Sequence, residues 1–257
     1  MLCLTHVDAA RHTLDLDQPS VIASLIDHTL LKPEASRSDI ERICAEAREF
    51  SFASVCVNPC WVRLAAEQLS GSQVKVCTVI GFPLGANETR AKFFEAELAL
   101  SDVASELDMV INLGALRSGD EQLVRDEIEQ LAVLAHSRAA LLKVILETCL
   151  LSDSQKRVVC KMAVQAGADF VKTSTGFAAS GATRSDVALL REIVADRAGV
   201  KASGGIRSLV VLREMVRAGA DRVGTSSGVQ IMQEMQSASA ATFRPPDPAP
   251  TSSGADY

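Results

Sequence analysis

Residues 166–174 read Ala-Gly-Ala-Asp-Phe-Val-Lys-Thr-Ser, and residues 218–226 repeat the phrase as Ala-Gly-Ala-Asp-Arg-Val-Gly-Thr-Ser, at an offset of 52 residues. In each copy a glycine of the kind that ends helices leads through an acidic turn residue into a short Val-centred run, which is how a helix hands over to a strand. The echo is either a repeated βα unit, with two such units between the copies, or the same turn chemistry used twice. Both readings place strands at 169 and 221.

The same short apolar pattern recurs along the chain, at 25–31 (LIDHTLL), 54–58 (SVCVN), 75–81 (KVCTVIG), 107–113 (LDMVINL), 141–147 (LLKVILE), 169–175 (DFVKTST), 200–204 (VKASG) and 221–226 (DRVGTS). Longer segments of helical period separate these eight strand candidates. In SRSDIERICAEAREF (36–50), Ile40, Ile43, Cys44 and Ala47 fall on one apolar face, and Ser38 with Glu41 reads as a capping box. Near-continuous apolar strands alternating with amphipathic helices imply parallel strands covered on both faces. Eight such units in a chain of this size predict an α/β fold, a single (β/α)8 TIM barrel. The barrel is expected over 21–239, after an N-terminal extension (1–20) and before a tail (240–257) rich in Pro, Ser, Gly and Ala and expected to be flexible. A doubly wound open sheet is the competing arrangement, but no GxGxxG follows the first strand and no GxxxxGK[ST] occurs.

The 257 residues are 47% hydrophobic and 23% charged, enough for one large core. Apolar runs of six or seven residues fall far short of the ~20 that span a bilayer. Residues 1–20 carry scattered acids and no secretory apolar block, so export is not expected. A net charge of −6 lacks the basic footprint of a nucleic-acid binder, while a pocket can still be locally positive. Seven cysteines without a CxxC pair read as reduced thiols of a cytoplasmic protein. Cys56, in a strand, and Cys60, after Pro59, read as core-packing residues. The histidines at 6, 12, 28 and 136 are too dispersed for a metal site, and no metal is expected.

Three strand candidates contain a lysine: Lys143 in LLKVILE, Lys172 in DFVKTST and Lys201 in VKASG. A lysine in a strand buried on both faces must find a partner or lose its proton. Neighbouring strands lie ~4.8 Å apart, so the three side chains are expected to converge and to lower one another's affinity for protons. A neutral lysine attacks carbonyls, which points to Schiff-base chemistry; the alternative is a structural ring of charge neutralised by acids such as Asp27 and Asp108. Asp108, in LDMVINLG, is the obvious carboxylate neighbour, suited to relaying protons. Asp27, in LIDHTLLKP, is a second candidate of that type.

Ser203-Gly204-Gly205 follows the seventh strand and Thr225-Ser226-Ser227-Gly228 the eighth, where barrels bind phosphate through backbone N–H groups. The same residues also suit a plain turn and a helix cap. GFPLGANETR after strand three and STGFAASGAT, with Gly176, after strand six add glycine-rich segments at the same end.

Taken in order, SVCVNP, KVCTVIGFPLG, LDMVINLGAL, LKVILET, DFVKTSTGF, VKASGGIR and DRVGTSS resemble the deoxyribose-phosphate aldolase family over about residues 25–232. The resemblance implies a class I aldolase that reversibly cleaves 2-deoxy-D-ribose 5-phosphate to D-glyceraldehyde 3-phosphate and acetaldehyde in deoxynucleoside catabolism. By the same resemblance, Lys172 is the Schiff-base lysine, Asp108 the proton-relay aspartate and Lys201 the second catalytic lysine. Lys143 is a further active-site lysine, Asp27 and Gly176 belong to the substrate-binding set, and Gly204, Gly205, Ser226 and Ser227 form the phosphate loops. No cofactor is implied, because the imine is the electron sink. The partners are a small phosphosugar and acetaldehyde, with no nucleic acid or membrane and with a homo-oligomer left open. Some relatives carry a lysine where this chain has Phe177, which implies weaker phosphate binding here. Some also end in tyrosine, which makes Tyr257 a candidate proton relay for the enamine carbon. Two other readings stand beside this one: another phosphosugar barrel, such as an epimerase, an isomerase or a different Schiff-base aldolase, and a barrel that binds phosphosugars or a partner without turnover.

Overall fold

A closed ring of parallel strands stands at the centre of the computed structural model, which describes residues 14–242. The strands are β1 (Ile26–Leu30), β2 (Ser54–Val57), β3 (Lys75–Ile80), β4 (Glu106–Val110), β5 (Leu141–Ile145), β6 (Phe170–Lys172), β7 (Gly199–Ser203) and β8 (Arg222–Thr225). Each pairs with the next, and β8 closes on β1 through Asp27 opposite Gly224. The helices are α1 (Pro19–Ser24), α2 (Arg37–Phe50), α3 (Val62–Gln68), α4 (Thr89–Ser101), α5 (Leu113–Arg117), α6 (Glu121–Ser137), α7 (Asp153–Gln165), α8 (Arg184–Val194), α9 (Leu209–Arg217) and α10 (Gly228–Thr242). The expected barrel is present, and six of the eight strand candidates contain their strand, while β4 and β7 each begin one residue earlier, at Glu106 and Gly199. No helix among the described residues is long and apolar enough to cross a membrane.

The main apolar core lies between strands and helices. Val55, Val57, Leu107, Met109, Leu142, Val144, Val171, Val200 and Val223 turn outward onto helix residues such as Ile40, Ile43, Ile128, Leu131, Val159 and Leu190. Each such buried side chain contributes roughly 1.5–3 kcal/mol. The alternate strand residues face the barrel axis, where the second apolar cluster is small: Leu31, Cys56, Cys77 and Val79, with Phe82 against them. The rest of the interior is available to polar side chains.

The echo has a structural reason. Asp169 and Asp221 each accept a hydrogen bond from the backbone of the preceding strand, from Leu142 N–H and Val200 N–H, both at 2.8 Å. The acid of each AGAD phrase thus ties the start of β6 or β8 to its neighbour.

Several local expectations are corrected. The capping box of α2 is Ser36 with Asp39, not Ser38 with Glu41: the helix starts at Arg37, and the Asp39 carboxylate reaches back to Ser36 N–H at 3.0 Å. β4 begins at Glu106 and stops at Val110, because the Asn112 side chain accepts from Ala115 N–H at 3.0 Å and caps α5 from Leu113 onward. Cys56 is buried in β2, but Cys60 is exposed, since the turn at Pro59–Trp61 carries it out of the sheet. Among the described residues Leu16, inside the stretch set off as an extension, already packs on the barrel, and its carbonyl accepts from Arg213 at 2.9 Å. Tyr257 and residues 243–257 lie outside the described residues.

Behind the ends of β3 and β4, Lys92 of α4 and Glu127 of α6 form a fully buried ion pair at 2.8 Å. Lys92 Nζ also donates to Val110 O at 2.9 Å, which holds the C-terminal end of β4. Burial pushes the Lys92 ammonium down and the Glu127 carboxyl up, each partly restrained by the other's charge.

Candidate active site

Strand register turns the anomalous lysines into one network. Asp108 lies opposite Lys143, Lys172 opposite Lys201, and Lys201 opposite Arg222. Residues level with one another in a parallel barrel share a face, so all five side chains point to the axis. Asp108 sits among the three lysines: its Oδ1 accepts from Lys143 at 2.8 Å, and its Oδ2 from Lys172 and Lys201, both at 2.7 Å. Lys143 reaches Glu106 as well, at 2.6 Å, with Asp27 at 4.0 Å. Lys201 pairs with Asp27 at 2.5 Å. Arg222 bridges Asp27 and Glu106, the latter at 3.0 Å.

These contacts correct the expectation that the lysines depress one another's protonation. Burial pushes the ammonium groups of Lys143 and Lys201 down, but Asp108 and Asp27, with Glu106 at Lys143, outweigh it and hold both above the ordinary lysine range. Conversely, burial would raise Asp108, yet Lys143, Lys172 and Lys201 hold its carboxyl well below the usual range. Asp27 is also held low against burial, chiefly by Arg222 and Lys201. The carboxylates are interleaved with the lysines, so attraction prevails over repulsion.

Four cationic side chains, Lys143, Lys172, Lys201 and Arg222, therefore meet three carboxylates, Asp27, Glu106 and Asp108. Fully ionised, the network carries one surplus positive charge. Among the described residues Lys143 has contacts with three of the acids and Lys201 with two, whereas Lys172 has Asp108 alone. Cys56, Cys77 and Asp108 also cluster, with ligand atoms within 4.8 Å of one another. The Lys143 ammonium, 3.3 Å from Cys77 Sγ, takes the place beside them that a cation would need.

A cavity of about 230 Å3 opens above this network at the C-terminal ends of the strands. Lys172 lines it; Lys143, Lys201, Asp27 and Asp108 lie beneath, fully or almost fully buried. Gly176, Gly204, Gly205 and Ser226 line the cavity too, so the segments after β6, β7 and β8 converge as expected. Gly204 and Gly181 touch backbone to backbone: a Cβ on Gly181 would fall 2.1 Å from Gly204 O. Ser227 stands just behind, at the head of α10, with its N–H donated to Thr225 Oγ1 at 2.9 Å. Phe177 lies edge-on against Phe82, centroids 5.2 Å apart, at the rim.

Sequence reading missed Glu106 and Arg222. Both bear charge within a strand, the signal that singled out the lysines, and Arg222 replaces Phe170 in the echo. It also missed Arg207 and Lys32, which bring cationic side chains to the cavity, and Glu147. Glu147 is left-handed at φ 53°, and its carboxylate accepts from the Thr175 hydroxyl and, at 3.3 Å, from Thr175 N–H, holding the segment after Lys172 in place.

The family of DeoC/LacD aldolases has a model that matches residues 21–234. The chain belongs to this family. Among curated relatives, the deoxyribose-phosphate aldolase of Streptococcus gordonii is 58% identical over 208 residues, covering 81% of this chain and 94% of the relative. That of Bacillus cytotoxicus is 53% identical over 211 residues, covering 82% and 94%. Among solved structures, the deoxyribose phosphate aldolase of Aeropyrum pernix, described as a tetramer, superposes with a TM-score of 0.81 at 36% identity, covering 89% of this chain and 99% of the other.

Proposed function

We propose that this aldolase cleaves 2-deoxy-D-ribose 5-phosphate reversibly to D-glyceraldehyde 3-phosphate and acetaldehyde through a Schiff base on Lys172. The observation that carries the assignment is that Lys172, of the three interior lysines, has the fewest carboxylate contacts and alone lines the cavity. Loss of its proton removes the surplus charge and leaves three cations against three carboxylates, while creating the amine that attacks an aldehyde.

Neutral Lys172 adds to C1 of the sugar and forms a carbinolamine. Asp108 joins Lys172 to Lys201, so the charged Lys201 supplies a proton along two short hydrogen bonds and the hydroxyl leaves as water. The resulting iminium draws the electrons of the C2–C3 bond toward nitrogen as the C3 hydroxyl passes its proton through Asp108 back to Lys201. D-Glyceraldehyde 3-phosphate departs, and an enamine remains. Protonation at C2, a step to which Tyr257 is assigned, regenerates the iminium, and water releases acetaldehyde and free Lys172. Lys143 and Asp27 hold the network in register beneath these steps.

The phosphate belongs at the other end of the cavity, where Gly204 and Gly205, both left-handed at φ 88° and 79°, and Ser226 lie with the N-terminus of α10 behind them. Arg207 and Lys32 supply cationic charge there that Phe177 does not. A homo-oligomer belongs to the same proposal, supported by the tetrameric A. pernix relative, as does a cytoplasmic location, supported by the absence of a disulfide among the described cysteines.

The test is release of D-glyceraldehyde 3-phosphate from deoxyribose 5-phosphate, followed by a coupled dehydrogenase. Steady release that disappears in Lys172→Ala is expected; a wild-type protein with no release would overturn the assignment.

A further inference from the structure

Ser203, at the end of β7, carries a hydroxyl that no group among the described residues uses. The residue is only 6% exposed, and its backbone is fully engaged: its N–H donates to Thr173 Oγ1 at 3.1 Å, and its carbonyl accepts from Ala182 N–H at 3.0 Å. Its Oγ has no partner. Such an orphan buried hydroxyl is costly, and native proteins retain few of them. Among the described residues with a buried, unpartnered side-chain atom, Ser203 alone lines the cavity that holds Lys172.

The fold makes room for this hydroxyl. Gly224 of β8 lies opposite Ser203, and a Cβ on Gly224 would fall 2.4 Å from Ser203 Oγ and 3.2 Å from Lys201 Cε. The hydroxyl therefore sits over a bare Cα on the axial side of the barrel, one interior step above Lys201. Lys172, the register partner of Lys201, lies on one side of it, and Gly204 and Gly205 follow on the other. A group so placed faces the middle of a molecule whose one end is bound to Lys172 and whose other end is a phosphate.

We propose that Ser203 is a specificity-determining residue whose hydroxyl bonds the C4 hydroxyl of bound deoxyribose 5-phosphate. The inference rests on the reaction assigned above. The C3 oxygen exchanges its proton during cleavage and belongs with Asp108 and Lys201 at the floor. C4 is the next carbon toward the phosphate and carries the other hydroxyl of the chain.

In the condensation direction that hydroxyl belongs to the acceptor, so two acceptors isolate it: D-glyceraldehyde 3-phosphate and 3-phosphonooxypropanal, which lacks only that group. With acetaldehyde as donor, the wild-type protein is expected to prefer the hydroxylated acceptor by roughly three- to tenfold in kcat/KM, the value of one neutral hydrogen bond. Ser203→Ala should bring the two acceptors close to parity by slowing the hydroxylated one alone. Borohydride trapping of acetaldehyde should persist, and the unfolding temperature should stay level or rise, because an unsatisfied hydroxyl has been removed. An unchanged preference, or an equal loss on both acceptors, would overturn the proposal; a lowered unfolding temperature with equal loss would assign Ser203 a structural role instead. A wild-type protein that condenses neither acceptor would overturn the aldolase assignment and this proposal with it.

Discussion

Asp108 Oδ2 accepts from Lys172 Nζ at 2.7 Å across 64 residues of chain. The same oxygen accepts from Lys201, which makes one carboxylate the junction between the amine that lines the cavity and a buried, firmly charged lysine. Chemistry and stability meet at that junction.

Replacing the junction tests its electrostatics. Asp108→Asn leaves Lys143 and Lys201 short of a buried partner, and breaking such a pair costs about 3–5 kcal/mol. In the wild type Lys143 titrates above the ordinary lysine value, so its contribution is fully present below that value and is lost only as pH rises through the higher folded one. In the variant Lys143 keeps Glu106 and Asp27 but loses Asp108, its strongest opposing charge, so its folded value falls and its contribution shrinks. The urea midpoint of Asp108→Asn should lie well below that of the wild type across about pH 6–9; equal midpoints would contradict this electrostatic account.

The Lys92–Glu127 pair should behave as a buried ion pair whose members need one another. Lys92→Met strands Glu127 and is expected to cost about 3–5 kcal/mol, whereas Lys92→Met combined with Glu127→Leu should recover a large part of that loss. Chemical denaturation of the wild type, the two single variants Lys92→Met and Glu127→Leu, and the double variant gives the coupling. A double variant no more stable than Lys92→Met would mean that the lost Val110 contact, not the stranded charge, dominates.

The phosphate end is tested by charge. Ser226→Asp places a carboxylate on the cavity wall and should raise KM for deoxyribose 5-phosphate at least tenfold, a cost of about 1.4 kcal/mol, while KM for unphosphorylated deoxyribose moves little. Equal effects on both substrates would place the phosphate elsewhere.

Most of the barrel was legible because its strands are short apolar runs buried on both faces, and the lysines stood out because such strands do not carry charge without a reason. The partners of those lysines were less legible. Glu106 precedes the apolar run of its strand, and Arg222 occupies the slot that Phe170 fills in the echo, so both looked like strand edges. That Asp108 would neutralise three cations depends on its register with Lys143 and on closure of the ring, neither of which a linear pattern encodes. The same holds for Ser203, whose isolation follows from the bare Gly224 opposite.

The central claim is that Lys172, and neither of its two lysine neighbours, forms the imine. Borohydride reduction in the presence of acetaldehyde should fix a two-carbon unit on the peptide containing Lys172, with Lys172→Ala unlabelled and Lys143 unmodified throughout. A label that maps to Lys201 or Lys143, or that persists in Lys172→Ala, would contradict the account.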